Sequence, residues 1–208
     1  MNSEEFDHEE IVYNLNGVTI NNAFAEAFSV NLKYNNYLDI IVLNNNNLND
    51  YSFEMMLKYL PSTVRKFNLT RNPGLTVKSY NLMLDVFVKK KFSLSHLILE
   101  GNECGDECCR VICDIVLKTK SIVILNLSKN SITCQGAEYL AVLLRRKDIR
   151  VQALLIHWNK ILGRGSGILA KAIEDNSTLQ IFDASFNSFG SSPIKIGNNF
   201  IAGLNNNG

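Results

Sequence analysis

A chain of 208 residues is ordinarily one domain in length, and its 21 Lys and Arg against 20 Asp and Glu leave a formal charge of +1. That balance supplies no global field for gathering nucleic acid or an anionic membrane. The start, MNSEEFDHEE, is acidic where a secretory leader would be basic and then apolar, and no run approaches the roughly 18 apolar residues of a membrane helix. A cytoplasmic protein is expected, with no nucleic-acid and no membrane partner. Five cysteines, an odd number gathered in one stretch, fit reduced thiols better than a disulfide framework.

One short phrase recurs along the chain. Its last residue falls at Val18, Asn46, Asn72, Asn102, Asn130, Asn159 and Asn187, so the steps are 28, 26, 30, 28, 29 and 28 residues. A period of that size predicts a solenoid, whose units bury their apolar faces only by stacking on one another. In the first unit Val18 replaces Asn and only Tyr13 and Leu15 serve as strand anchors; residues 1–35 therefore read as an N-terminal cap, with Phe24 and Phe28 closing the core. Regular repeats follow over 36–187, and the third carries an insertion around Asn72-Pro73-Gly74, where the turn must widen.

The fifth unit displays the design most clearly. Leu125 and Leu127 alternate around Asn126, the mark of a short strand with one buried face, and Ile132, Leu140, Leu143 and Leu144 follow at helical spacing, with Gly136 where the helix packs closely. In the sixth unit the stretch Gly163 to Gly167 lacks the Lys-Ser/Thr ending of a phosphate loop and fits a helix start. Beyond Asn187 the helical pattern fails: Pro193 intervenes, only NNFIAGL offers a short apolar helix, and 188–208 reads as an irregular end to a single 1–208 domain. The Asn that closes each phrase has an amide that both donates and accepts, so the column Asn46 to Asn187 is expected to form a structural ladder where the chain turns inward.

The pattern Leu-x-x-Leu-x-Leu-x-x-Asn-x-Ile, with a Gly and two Leu further on, is best developed in IVILNLSKNSITCQGAEYLAVLL and VQALLIHWNKILGRGSGILAKAI. It resembles the leucine-rich repeat superfamily, in its ribonuclease-inhibitor-like subtype, over about residues 10 to 190. The resemblance implies an α/β horseshoe of about seven repeats, with a concave parallel sheet and convex helices. The phrases LLIHWNKI and LQIFDASFNSFG look most like intracellular members associated with cilia and axonemes.

Alternation along the strands assigns three columns to the inner face. The middle one holds Asn14, Val42, Asn68, Ile98, Asn126, Leu155 and Asp183; two residues later come Asn16, Asn44, Thr70, Glu100, Ser128, His157 and Ser185; two residues earlier stand Val12, Ile40, Lys66, His96, Ile124, Ala153 and Ile181. Apolar side chains among polar ones on such a face mark protein contact. Trp158 and Phe186 occupy equivalent positions in adjacent units and are the favoured hot spot. The candidate partner-binding set is Val42, Asn68, Thr70, Ile98, Glu100, Asn126, Leu155, His157, Trp158, Asp183 and Phe186.

Constellations with chemistry are sparse. Cys104, Cys108, Cys109 and Cys113 invite a metal, yet one helix aims Cys108 and Cys109 about 100° apart; both Cys104 and Cys108 read as small core residues, and Cys109 and Cys113 with Cys134 form the least poor metal alternative. His96 and His157 lie two units apart, about 10 Å at sheet spacing, with no Ser or Cys opposite either beside an orienting carboxylate. Lys89 to Lys91 and Arg145 to Lys147 sit near helix ends, where cations favour the dipole, or else form a basic ridge for an acidic partner. A non-enzymatic protein-binding scaffold without cofactor or metal is expected, in the cytoplasm or a cilium, with a cytoskeletal or axonemal protein as its partner. The alternative is a GTPase-activating protein similar to the activator of the nuclear-transport GTPase, with Arg71 near the nucleotide; ribonuclease inhibition is disfavoured by the neutral charge.

Overall fold

The computed structural model describes residues 9–188. Strand and helix alternate throughout: β1 (Val12–Asn14), α1 (Asn22–Tyr34), β2 (Ile40–Val42), α2 (Asp50–Tyr59), β3 (Lys66–Asn68), α3 (Val77–Lys89), β4 (His96–Ile98), α4 (Gly105–Thr119), β5 (Ile124–Asn126), α5 (Cys134–Leu144), β6 (Ala153–Leu155), α6 (Gly163–Glu174) and β7 (Ile181–Asp183). The strands form one parallel sheet in chain order, and the register aligns Asn14, Val42, Asn68, Ile98, Asn126, Leu155 and Asp183 across it. The middle residue of each strand points the other way; Ile41, Phe67, Leu97, Leu125, Leu154 and Phe182 are all buried against the helices. Strands pack about 4.8 Å apart and helices 8–10 Å apart, so a stack of such units bends with its sheet on the inside.

The asparagine column does form a ladder. The side-chain oxygen of Asn130 accepts from the backbone N–H groups of Asn102 (3.0 Å) and Cys104 (3.2 Å) in the preceding unit. Its amide donates to the carbonyls of Leu99 (2.8 Å) and Ser128 (3.0 Å). Asn72 and Asn159 repeat the arrangement, accepting from Asn46 and Leu48 and from Asn130 and Ile132. These amides lie inside the stack, where an unpaired backbone group is costly. At the first unit Val18 removes a rung: Ile20 N–H turns instead to the backbone oxygen of Asn46, whose side-chain oxygen has no hydrogen-bond partner among the described residues.

A second ladder runs beside it. The residue before each phrase-closing position has left-handed backbone at Gly17, Asn45, Arg71, Gly101, Lys129, Trp158 and Phe186. From Gly17 to Trp158 these residues donate their N–H to the next unit, as from Arg71 to Glu100 O (2.8 Å) and from Trp158 to Ser185 O (3.0 Å). Left-handed φ is natural for Gly and tolerable for Asn, and strained for a bulky side chain.

Helices approach closely where the repeat carries small residues, namely Ser52, Ser79, Cys108, Gly136 and Gly165, all buried. A Cβ on Gly165 would stand 3.2 Å from both Ala137 Cβ and Cys134 Cα, and 2.7 Å from Ile161 Cγ2. The turn of the third unit widens as expected: α3 begins five residues after Asn72, whereas α2, α5 and α6 begin four after their asparagines. Gly74 in that turn lies so close to Leu48 that an added Cβ would meet its carbonyl oxygen. Phe24 and Phe28 are only partly buried, stacked at 5.8 Å against the end of the core. Pro193, NNFIAGL and His8 lie outside the described residues.

Two aspartates bind one repeat's helix to the next, a device invisible in the repeat phrase. Asp50, first residue of α2, accepts from Thr76 N–H (2.9 Å), Thr76 Oγ1 (2.7 Å) and Ser79 Oγ (2.5 Å) at the start of α3. Asp106 does the same for α5 through Thr133 N–H (2.8 Å), Thr133 Oγ1 (2.6 Å) and Gly136 N–H (2.9 Å). Partial burial raises the Asp50 pKa, but the hydrogen bonds from Ser79 and Thr76 outweigh it and hold the carboxyl below its ordinary value.

Two outcomes follow from these contacts. Asn130→Ala orphans buried groups on both sides of a rung, each worth about 1–3 kcal/mol, and should lower the urea-unfolding free energy by about 3 kcal/mol; Asn187→Ala, at the half-buried last rung, should cost less than half as much. Because the folded pKa of Asp50 is depressed, its contribution is present above the unfolded value of about 3.9 and is lost as pH falls through the folded one. Urea midpoints at about pH 6 and pH 3 should therefore converge more in Asp50→Asn than in wild type.

Candidate partner-binding surface

Strand alternation turns the three columns to the concave face, but their members do different work. Asn14, Asn68, Asn126 and Asp183 each accept a hydrogen bond from the backbone N–H two residues on, at 2.9–3.1 Å, so they shape the strand exits. Thr70 is drawn into the same turn, its hydroxyl donating to Asn68 Oδ1 at 2.8 Å. Val42, Ile98 and Leu155 interrupt that column with apolar, half-buried side chains that make no such turn.

Asn126 was expected on the open face and is instead buried, 7% exposed. Its oxygen serves Ser128 N–H and its amide reaches Glu100 Oε2 at 3.4 Å, beneath the Glu100–Lys129 ion pair of 2.7 Å. Ser128 and Ala153 in the flanking columns are buried as well. Burial would raise the Glu100 pKa; the hydrogen bond and charge of Lys129, helped by His157 and Asn126, bring it below the usual carboxylate value. Burial, reinforced by Lys66, lowers that of His96.

The expectation that no serine faces a histidine beside a carboxylate is overturned. Ser128 Oγ lies 2.9 Å from His157 Nδ1, and Asp183 Oδ2 lies 2.9 Å from that same nitrogen. The first contact runs along the later column between adjacent units, and the second crosses from that column to the middle column of the next unit. A nucleophile relay needs the hydroxyl and the carboxylate on opposite ring nitrogens; here both meet one, and the hydroxyl is fully buried. The trio fastens β5, β6 and β7 together and defines one wall of the concave face.

Trp158 and Phe186 stand at the rim of this wall. Their rings stack at 4.3 Å between centroids and 11° between planes, and the residues remain 54% and 38% exposed. Both carry left-handed backbone, with φ of 54° and 55°. For non-glycine residues such geometry costs of order 1 kcal/mol each and persists only where the surroundings impose it. Arg71 and Lys129 occupy the same rim position in earlier units; Arg71 entered from sequence only under the GTPase-activating alternative, and Lys129 was not singled out. The signal was present, since Gly17, Gly101 and Asn45 fall at that point of the phrase.

The cysteines serve the core. Cys104, Cys108, Cys109 and Cys113 are buried, Cys109 Sγ faces Gly136 O at 3.8 Å, and Cys134 Sγ faces Leu162 O at 3.8 Å. The hydrogen bond with Cys108, with burial, pushes the Cys104 thiol far up. Among the described residues no three His, Cys, Asp or Glu side chains converge as metal ligands, and no helix is long and apolar enough to cross a membrane.

No protein-family model matches the sequence. Human NACHT, LRR and PYD domains-containing protein 13 is 28% identical over 130 residues, which are 62% of this chain and 12% of that protein. A chain in the crystal structure of the yeast Rad7 and Elc1 complex has a TM-score of 0.55 at 14% identity, covering 94% of this chain and 53% of that one. At that identity the structural likeness speaks of fold alone. This chain is an α/β solenoid of the leucine-rich-repeat kind, its seven parallel strands alternating with six helices among the described residues. It spans about an eighth of the curated relative and about half of the solved chain.

If the two aromatics served the fold, removing them would weaken it. The double variant Trp158→Gly/Phe186→Gly instead exchanges strained left-handed residues for one that adopts the conformation freely, against a stacking loss of about 0.5–1.5 kcal/mol. Its thermal midpoint should stay within about 3 °C of wild type; a fall of about 10 °C would assign the pair to the core.

Proposed function

We propose that this solenoid is a non-enzymatic scaffold that holds a protein partner across the β5–β7 end of its concave sheet and the adjoining rim. The observation that carries the reading is the exposed Trp158–Phe186 stack, two bulky rings side by side on left-handed backbone at a position that Gly17, Asn45 and Gly101 fill without strain. Beside it, Leu155 adds apolar area within a frame of His157, Asp183, Glu100 and Lys129, the apolar centre and polar surround typical of protein contacts. Further along the sheet, Val42 and Ile98 extend the apolar line past Asn68 and Thr70.

The comparisons lend support at a coarser level. The curated relative is named for its leucine-rich repeats, and the solved neighbour is a chain from a two-protein complex. A ribonuclease-inhibitor-like subtype accords with a helix in every one of the six full units. The wording of LLIHWNKI and LQIFDASFNSFG supports a cytoplasmic adaptor, placed by resemblance in a ciliary or other cytoskeletal assembly. Nothing in the geometry favours the GTPase-activating reading: Arg71 lies along the rim with its Cγ near the Gly101 backbone.

Aromatic anchors at an interface commonly cost 2 kcal/mol or more when truncated, about thirtyfold in affinity. In affinity capture from native extract, proteins retained by wild type should fall by about tenfold or more with Trp158→Ala/Leu155→Asp. An unchanged set of captured proteins would place binding elsewhere.

A further inference from the structure

The basic runs flagged in the sequence turn out to share one edge. In a parallel array every helix-to-strand connection lies on the same rim, opposite the asparagine ladder. Over the four such connections that join α2 to β3, α3 to β4, α4 to β5 and α5 to β6, taken as residues 57–65, 86–95, 116–123 and 142–152, there are 11 Lys and Arg and one acidic residue, Asp148. In a chain of net charge +1 these four connections thus carry a net charge of +10, since 11 less 1 is 10, whereas the α1 to β2 and α6 to β7 connections at the two ends of the rim carry Asp39, Glu174 and Asp175. Asp148 is itself engaged, with Lys120 at 2.7 Å and Arg146 at 3.0 Å, and these two hold its carboxyl ionised far below the ordinary range.

Helix dipoles account for only part of this. Each helix C-terminus presents about half a negative charge, so α2 to α5 together offset about two of the ten. The dipole also fades within the last turn, and Arg65, Lys91 and Arg150 lie beyond the helices. Lys90 is used structurally, donating to Lys58 O (2.8 Å) and Leu60 O (2.9 Å), and Lys147 donates to the Asp175 carbonyl. Arg65, Lys89, Lys91, Lys118, Arg145 and Arg150 are exposed and make no ion pair among the described residues. At the rim's N-terminal end a depression of about 460 Å³ opens between the ends of α1 and α2, lined in part by Lys33, Lys58 and Lys90.

We propose that this rim is a second binding surface, distinct from the concave face, and that its partner is an acidic protein segment lying across the C-terminal ends of α3, α4 and α5. Helices 8–10 Å apart place those ends along roughly 20 Å, the length of about six residues of extended chain. The charge alone would suit any polyanion; the neighbouring side chains select among them. Single-stranded nucleic acid is commonly held by base stacking on aromatics in addition to phosphate contacts, and membrane-surface helices pair their cations with bulky apolar anchors such as Trp, Phe and Leu. From residue 86 to 152 the exposed large apolar side chains are Val88 and Val142 alone among the described residues, with no exposed aromatic ring. Short aliphatic contacts between cations match a peptide of Asp and Glu interspersed with small apolar residues.

The test uses a fluorescent oligoglutamate peptide of about ten residues, titrated with the full chain at about 50 mM salt and again at about 300 mM. Wild type should bind saturably and lose about tenfold or more in affinity at the higher salt. Lys89→Glu/Lys118→Glu/Arg145→Glu should lose about tenfold or more at low salt, while Lys78→Glu/Lys160→Glu/Arg164→Glu, with the same net charge but off this rim, should stay within about threefold. Trp158→Ala/Leu155→Asp should bind the peptide as wild type does, which separates this surface from the concave one. The proposal is overturned by absence of binding at low salt, by equal loss in the two charge-reversed variants, or by displacement of the peptide by oligouridylate or phosphatidylserine vesicles at lower concentration than by unlabelled peptide.

Discussion

Everything in this solenoid depends on one constraint: backbone groups that leave the strand and turn into the core must find partners there, and water cannot supply them. A single amide side chain meets the need at Asn72, Asn130 and Asn159, accepting from two N–H groups of the unit before and donating to carbonyls on both sides. Asn102 accepts from Asn72 N–H, while its own amide nitrogen has no hydrogen-bond partner among the described residues. Hydrogen bonds of this sort are modest in net gain and expensive to leave unmade. They therefore act less as glue than as a condition on register, since a unit displaced by one residue would bury several polar groups unpaired. Apolar stacking beneath the sheet then stabilises a geometry that the asparagines have already selected.

The same arrangement decides where variation is free. Of the features that hold neighbouring units together, the ladder uses one fixed amide side chain per rung, and the left-handed turn and the small residue at the helix crossing use backbone atoms or small side chains. The side chain at the left-handed position is thus unconstrained by packing while its backbone is tightly constrained. Gly17 and Gly101 take the easy solution and Trp158 and Phe186 the costly one, at neighbouring units where their rings meet. Arg71 and Lys129 carry the same backbone geometry, so it is the stacking of two exposed rings at adjacent units, and not the strain alone, that supports the contact proposed for this rim.

Much of the fold was legible because its determinants recur: a Leu or Asn mistaken once is corrected by six other occurrences. Strand register, the widened third turn and the helix start at Gly163 all follow from that redundancy. The site was legible only as a set of columns. Asn126 looks the same in sequence as Asn14 and Asn68, and its burial arises beneath the ion pair between Glu100 of the preceding unit and Lys129 of its own. Ser128 and His157 are neighbours within one column, and His157 reaches across to Asp183 in the middle column, the contact of the trio that reading along each column does not reveal. The aspartate clamps at Asp50 and Asp106 alternate with units that lack them, so periodicity hides them as well.

Charge shows the opposite case, in which a whole-chain value conceals a local one: a formal +1 coexists with a central stretch of rim, from α2 to β6, that is almost wholly cationic. The ladder nevertheless remains the claim on which the binding surfaces rest, because it fixes the line along which they are displayed. Native-state hydrogen exchange tests it directly. The backbone amides of Asn72, Asn102 and Asn130, each donated to the asparagine of the following unit, should exchange only through global unfolding, with protection equal to the free energy from urea denaturation. Exchange of these amides through local opening, several kcal/mol below the global value, would contradict it.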